Sequence, residues 1–113
     1  MTKLAGLKKT ELAAVKAFCN GVKKTLGNEL VGLRLFGSKA RGKSREDSDI
    51  DIAVVVRKRN SSVWDKVMDA AFTANFKWDV YISPRVIESR ALRNPKWRQT
   101  GFVQNLEREG IFL

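Results

Sequence analysis

A polar, glycine-containing loop between two apolar segments constrains the fold of this chain more than any other feature. Leu30–Phe36 alternates apolar residues with small or charged ones, which is typical of a half-buried strand. Gly37–Ser48 is polar and basic and predicts a loop with room for one short helical turn. Asp49–Val56 is rich in Ile and Val and predicts a second strand. The rest of the chain has to fold around these two strands.

Helical periodicity flanks the two strands. Apolar side chains recur at helical spacing from Thr10 to Leu26, and again from Ser61 or Ser62 to about Phe76. The side chains that we expect the second helix to bury are Val63, Trp64, Val67, Met68 and Ala71. A last helix is expected to end at Glu109, before Gly110, with Phe102, Val103 and Leu106 facing inward.

A third strand is predicted over Trp78–Ser83, with Asp79 on the face opposite Trp78 and Val80. Ser83-Pro84 then suits the start of a helix, because proline is favoured at the first helical position. Asn94-Pro95 indicates a break before the last helix. This order of elements predicts a mixed α/β domain, with a small sheet flanked by helices. The length of 113 residues fits one domain over residues 1–113.

Composition excludes several kinds of site. The chain has no histidine and one cysteine, so it lacks Ser–His and Cys–His nucleophile pairs, an internal disulfide and a His/Cys zinc site. Cys19 is expected to pack in the core rather than react. Lys plus Arg number 22 and Asp plus Glu 12, giving a net charge of +10. Such an excess suits phosphate-bearing partners, although a solvated cationic surface explains the composition equally well.

No segment suggests a membrane location. The longest uninterrupted apolar run, Ile52–Val56, has five residues, against roughly 20 needed to span a bilayer. Lys8 and Lys9 interrupt any apolar stretch near the N-terminus, so a signal peptide is not expected. The expected location is the cytoplasm.

The loop after the first strand has the residues of an anion site. Gly37 allows the backbone to approach a ligand closely, and Ser38 adds a hydroxyl and an amide. Cations follow within the same loop. We therefore predict that Gly37, Ser38, Arg41 and Lys43 bind a nucleotide, with Arg41 favoured for its planar fork and Lys43 equally explained as a solvated charge.

Asp49 and Asp51 open the second strand and share one of its faces, because side chains two residues apart in a strand point the same way. Two such charges repel, and a divalent cation removes the penalty. Oxygen ligands suit Mg²⁺ or Mn²⁺. The candidates for a third carboxylate are Asp47, Asp65, Asp69 and Asp79. Only Asp79 falls on a predicted strand, so we select Asp79.

Gly37-Ser38, ten residues, and then Asp49-Ile50-Asp51 resembles the signature of the DNA polymerase β nucleotidyltransferase superfamily. With Arg41-Gly42, the run resembles the minimal nucleotidyltransferases, which are often encoded beside HEPN-domain proteins as toxin–antitoxin pairs. The similarity extends from about residue 30 through Asp79 to the C-terminal segment.

The resemblance implies a polymerase β-like fold and a defined chemistry. Gly37 and Ser38 would hold the triphosphate of ATP, and Asp49, Asp51 and Asp79 would be catalytic and bind two Mg²⁺ (or Mn²⁺) ions. Asp79 would bind the ion nearer the nucleophile and help to deprotonate the acceptor. The expected function is that of an antitoxin: AMP passes from ATP to a hydroxyl, in this group a tyrosine, of a HEPN toxin in a hetero-oligomer. Larger relatives bind the acceptor with an added domain for which 113 residues leave no room, so the partner is expected to supply that half of the site.

Two other functions remain open. The chain could neutralise a partner by stoichiometric contact without catalysis, or it could add nucleotides to an RNA end held by its positive charge. RNA binding predicts an affinity that falls steeply with salt. Modification of a cationic antibiotic is disfavoured, because the basic surface would repel it.

Overall fold

A computed structural model of the chain describes residues 6–42 and 49–113. These residues form one mixed sheet with helices on both faces. The strands are β1 (Leu30–Phe36), β2 (Ile50–Val56), β3 (Ile82–Glu88) and β4 (Ile111–Phe112). The helices are α1 (Lys9–Leu26), α2 (Gly37–Arg41), α3 (Ser61–Trp78), α4 (Ser89–Arg93), α5 (Pro95–Arg98) and α6 (Gly101–Glu109), and a short 3₁₀ turn, Gly27–Glu29, follows α1.

The sheet has the strand order β3-β2-β1-β4. β1 is antiparallel to β2 and to β4, whereas β2 and β3 are parallel and are connected through α3. Asp51 lies directly opposite Phe36 on β1 and Ser83 on β3, and Ala53 lies opposite Arg85. The two outer strands of the sheet are therefore β3 and β4, and the start of β2 lies between two neighbours.

One face of the sheet packs against α1 and α3 and forms the main core. Its largest fully buried side chains include Phe18, Leu35, Ile50, Ile52, Val54 and Val67. Cys19 is buried in the same core, and desolvation raises the pKa of its thiol to about 11. This cysteine therefore packs as an apolar side chain, as expected from the sequence.

The opposite face carries a smaller apolar cluster beneath α6, formed by Ala53, Ile87 and Leu106. Phe36 and Phe102 pack edge to face beside it, with ring centroids 5.4 Å apart. Because alternate residues of a strand point to opposite faces, Asp51 shares this second face with Ala53, whereas Ile50 and Ile52 point into the main core.

The predicted third strand over Trp78–Ser83 was wrong. α3 continues to Trp78, and the strand begins four residues later than predicted, at Ile82. A contact with the last turns of α3 fixes the strand start: the Asn75 side chain accepts a hydrogen bond from the Ile82 N–H (2.7 Å) and donates to the Ile82 carbonyl (3.2 Å). Of the residues whose alternation had indicated a strand, the helix takes Trp78, Asp79 is its C-cap, and Ile82 and Ser83 belong to β3.

The helix predicted to start at Ser83-Pro84 was also wrong, because both residues belong to β3. Proline lacks a backbone N–H, and an outer strand tolerates this loss. Trp64 was expected to be buried in α3, yet 45% of it is exposed. Val31 is exposed as well, next to an irregularity in the β1–β2 register between Leu30 and Gly32.

The other elements are confirmed. α1, β1 and β2 match their predicted ranges to within one residue, and α2 supplies the short helical turn after Gly37. Asn94 caps α5, so the predicted break at Asn94-Pro95 is present. Val103 and Leu106 of α6 are fully buried, and Phe102 is half-buried. In residues 6–42 and 49–113 there is no helix long and apolar enough to cross a membrane.

Candidate functional site

The tight turn at Gly37 places the backbone against a carboxylate. β1 ends at Phe36 and α2 begins at once, with Gly37 at a φ of 75°. A Cβ on Gly37 would collide with Oδ2 of Asp51. Two features therefore require glycine at this position: the positive φ and the close approach of the Asp51 side chain.

Asp51 is half-buried at the point where β1, β2 and β3 meet. Desolvation is the main cause that raises the pKa of its carboxyl, and the negative charge of Asp49 raises it further. The positive charges of Arg85 and Arg41 act in the opposite direction. A bound cation would stabilise the ionised form of Asp51, because it would relieve the repulsion between Asp51 and Asp49.

Asp49 is exposed and directly precedes β2. Two neighbouring carboxylates are a donor set that fits Mg²⁺ or Mn²⁺, which are held by one or two carboxylates together with water and substrate phosphates. Asp79 is exposed at the C-cap of α3, with a φ of 52°, and not on a strand. Among the residues that the structure describes, no three acidic or thiol groups are grouped to hold a metal ion.

In the part of the chain that the structure describes, two arginines bring positive charge to the Asp51 carboxylate. Arg41, at the end of α2, is 43% exposed, and its Nη1 lies 3.3 Å from Oε1 of Glu109 on α6. Arg85 projects from β3, and its guanidinium lies 4.9 Å from the centre of the Phe102 ring. Sequence reasoning missed Arg85 because Ser83-Pro84 had been interpreted as a helix start. The alternation of apolar and polar residues over residues 82–86 was the signal that could have found it.

A buried ion pair anchors the turn to the main core. Lys39 of α2 is 2% exposed, and its Nζ lies 2.8 Å from Oε2 of Glu11 on α1. The other oxygen of Glu11 accepts a hydrogen bond from the Lys8 N–H (2.9 Å). Sequence reasoning did not identify this pair, because the two residues are 28 positions apart and each has the composition of a surface residue.

The structure brings together some of the predicted site residues and separates others. Gly37 adjoins Asp51, and the charges of Asp49 and Arg41 both act on the Asp51 carboxyl. Ser38 lies half-buried in α2 next to Gly37. Lys43 lies outside the described residues. This geometry joins a tight glycine turn, a carboxylate pair and two arginines, which suits a ligand that carries both phosphates and a divalent cation.

Comparison with known proteins gives the same chemistry. The family described as "Polymerase beta, Nucleotidyltransferase" matches residues 20–110. A protein of Methanocaldococcus jannaschii named for protein adenylyltransferase activity is 35% identical over 103 residues, covering 91% of this chain and 97% of that protein. A second protein of that organism, named in the same way, is 29% identical over 98 residues, covering 86% of this chain and 92% of that protein.

Solved structures share the fold. One described as a minimal nucleotidyltransferase superposes with a TM-score of 0.55 at 25% identity, covering 90% of this chain and 95% of that one. A chain of a mutant MntA–HpeT toxin–antitoxin complex gives 0.52 at 18% identity, over 88% and 70% of the two chains. A chain of a toxin–antitoxin structure with AMP-PNP gives 0.52 at 21% identity, over 84% and 68%.

Proposed function

Because the chain belongs to the polymerase β nucleotidyltransferase family, we propose that it moves AMP from ATP to a tyrosine hydroxyl of a partner HEPN toxin. Modification of the toxin would make this chain its antitoxin. The observation that carries the proposal is the contact between the Gly37 turn and the Asp51 carboxylate, which sets a phosphate-binding backbone directly beside a cation-binding side chain.

In this proposal the triphosphate lies along the start of α2. Gly37 lets the backbone approach the phosphates, and Ser38 adds its hydroxyl and amide. Arg41, whose side chain is 43% exposed in its pair with Glu109, has donors left for a phosphate oxygen. Lys43 is proposed as a second cation on the triphosphate. We add Arg85 to the proposed phosphate-binding residues. Its guanidinium charge already acts on Asp51 and would bind the α-phosphate.

Asp49 and Asp51 would hold the divalent ions, Mg²⁺ or Mn²⁺, and we propose two of them on the resemblance. Bound there, the ions would activate the attacking hydroxyl and stabilise the charge that develops on phosphorus. Asp79 is proposed as a further ligand on the resemblance alone, because among the described residues it does not join Asp49 and Asp51 in a group that could hold a metal ion.

The reaction is an in-line displacement. The acceptor oxygen forms a bond to the α-phosphorus, the bond from that phosphorus to the bridging oxygen of the β-phosphate breaks, and pyrophosphate leaves. The acceptor proton passes to solvent or to Asp79. The protein residues supply position and charge rather than covalent chemistry, which fits a chain without histidine.

A protein acceptor is supported by the two relatives named for protein adenylyltransferase activity. A toxin as that acceptor is supported by structural neighbours that come from toxin–antitoxin complexes, one of them with AMP-PNP. The working assembly would then be a hetero-oligomer of this chain and the toxin.

The test is transfer of label from α-labelled ATP to the protein encoded beside this chain, in the presence of Mg²⁺. We expect one AMP on a tyrosine of the partner, detected by mass spectrometry, and no transfer by the Asp49→Asn/Asp51→Asn variant. The matched control is Asp65→Asn/Asp69→Asn, which removes the same charge from the exposed surface of α3. Absence of transfer by the wild type, or equal transfer by the Asp49→Asn/Asp51→Asn variant, would contradict the proposal. Full neutralisation of the toxin by that inactive variant would favour stoichiometric binding instead.

A further inference from the structure

A groove of about 1090 Å³ runs along the outer edge of β3, between α3 on one side and α4 and α5 on the other. We call it the β3 groove. This volume is larger than the range of about 300–1,000 Å³ that is typical of pockets for small ligands. The groove therefore suits a segment of a polymer. The charged and aromatic residues that line it include Arg59, Trp64, Arg85, Arg90, Arg93 and Trp97.

The charge of the β3 groove is strongly positive. Among the described residues, four arginines line it and one acid, Glu88, opposes them. Glu88 already accepts hydrogen bonds from the Arg59 N–H (2.8 Å) and from Nε of Arg90 (2.8 Å). These bonds lower the pKa of Glu88, and the other Arg90 nitrogens stay accessible because that side chain is 81% exposed. The groove therefore presents guanidinium donors to an anionic ligand.

Two tryptophans offer aromatic surface in the same groove. Trp64 of α3 is 45% exposed and Trp97 of α5 is 50% exposed, whereas Trp78, the third tryptophan, packs against the main core. Large aromatic side chains that are half exposed beside arginines provide stacking platforms for bases next to donors for phosphates. That pairing is the usual composition of a surface that binds single strands.

A peptide fits the β3 groove less well. A peptide strand would bind an outer strand such as β3 by continuing its ladder of hydrogen bonds. Pro84 lies within β3 and has no backbone N–H to donate. A proline in an outer strand is one of the features that block such pairing. Bases and phosphates would bind to side chains of the groove and do not need backbone hydrogen bonds from β3.

We propose that the β3 groove binds single-stranded nucleic acid, with bases stacked on Trp64 and Trp97 and phosphates held by Arg90 and Arg93. This binding is independent of the proposed transfer of AMP. The groove nevertheless borders the carboxylate site, because Arg85 lines the groove and also acts on Asp51. A bound strand would therefore lie next to the nucleotidyltransferase site.

The experiment follows tryptophan fluorescence while a uridine 12-mer is titrated into the full chain at 50 mM salt. We expect quenching from Trp64 and Trp97, and an affinity that falls about tenfold or more in each of Trp64→Ala and Trp97→Ala. Trp64→Phe and Trp97→Phe keep an aromatic ring and should retain most of the affinity, which separates stacking from a loss of folding. A thymidine 12-mer in place of the uridine 12-mer tells whether RNA is preferred over DNA.

The arginines are tested through salt dependence. Arg90→Gln/Arg93→Gln removes two phosphate contacts, so the slope of log affinity against log salt should become shallower by about 1.4. The matched control is Lys23→Gln/Lys24→Gln, which removes the same charge from the exposed side of α1 and should leave the slope nearly unchanged.

Three results would overturn the proposal. The first is no binding of either 12-mer at 50 mM salt, and the second is binding that the alanine variants at Trp64 and Trp97 do not weaken. The third is binding of a glutamate 12-mer as tight as that of the uridine 12-mer, since this probe carries charge without bases. The third result would assign the groove to an acidic protein partner.

Discussion

The two faces of the sheet have opposite characters. The face beneath α1 and α3 is a continuous apolar core, in which Phe18, Leu35 and Ile52 are fully buried. The face beneath α6 has a smaller apolar cluster, and beside it lie Asp51 and Arg85. One sheet thus supplies a stable support on one side and a charged, half-covered surface on the other.

The difference shows where this small domain can place charge. Burial of apolar area on the α1 and α3 face stabilises the chain, at roughly 25 cal/mol per Å² removed from water. The second face does not need to be equally apolar, so it can keep a carboxylate whose pKa burial and Asp49 have raised. Substitutions on the two faces should therefore have different consequences.

The largest effect is expected on the buried face. Phe18→Ala removes a fully buried ring from α1 and should lower the free energy of unfolding by about 3–5 kcal/mol. Urea denaturation measures this loss. Well below the melting temperature the KM for ATP should stay unchanged, because Phe18 is on the other face. A raised KM in a folded Phe18→Ala variant would show that the faces are not independent.

The ion pair of Lys39 and Glu11 connects the two faces. Lys39→Met leaves the Glu11 carboxylate buried with the Lys8 N–H as a remaining donor, so unfolding should become easier by about 3 kcal/mol. Because Lys39 belongs to α2, the KM for ATP should rise as well. Glu11→Leu/Lys39→Met removes both charges and should recover most of the stability, as seen by thermal melting. If the double variant is no more stable than Lys39→Met, the uncompensated charge is not the cause of the loss.

The sequence predicted the elements whose signals are local. α1 has apolar residues at helical spacing, and β1 and β2 have the alternation and the Ile and Val content of strands. The third strand was displaced, because Trp78, Val80 and Ile82 fit a strand face while α3 can also continue through Trp78. The hydrogen bonds between Asn75 and Ile82 decide between these outcomes. They are side-chain contacts between residues seven positions apart, and periodicity does not encode them.

The residues of the candidate site also divide into those that local sequence signals predicted and those that they did not. Gly37, Asp49 and Asp51 were predicted because their spacing along the chain carries the signal, and the structure brings them together. Arg85 was missed because its place depends on the register of β3 against β2. Asp79 was assigned to a strand on the same misplaced alternation, and its metal-binding role stays a prediction.

Gly37→Ala should harm the charged face in particular. An alanine at a φ of 75° costs about 1–2 kcal/mol in stability, and its Cβ would displace the Asp51 carboxylate. We expect AMP transfer to fall about 100-fold, which corresponds to about 2.7 kcal/mol in the barrier. Gly27→Ala is the matched control, because Gly27 also has a positive φ, 54°, but has open space around it. Equal activity losses in the two variants would contradict the collision with Asp51.

The smallest predicted effect is a gain in stability, in contrast to the losses expected for the other variants, and it concerns Asp51. The pKa of Asp51 is raised in the folded chain, above the value of about 3.9 for an unfolded aspartate. As pH rises through the unfolded value, the unfolded chain releases this proton before the folded chain does, so this group lowers the free energy of unfolding. The loss is complete above the folded pKa and persists at neutral pH.

Asp51→Asn cannot ionise, so at pH 7 it should be more stable than the wild type, by about 0.5–2 kcal/mol, while AMP transfer is lost. The difference in melting temperature between the two proteins should grow from pH 3.5 to pH 7, since the other titrating groups are shared. Asp65→Asn, on the exposed surface of α3, is the control for the loss of one carboxylate away from the site. A less stable Asp51→Asn variant at pH 7 would mean that attraction from Arg85 and Arg41 exceeds desolvation and repulsion by Asp49. The second face would then stabilise the fold through its charges, and the contrast between the two faces would be one of chemistry rather than of stability.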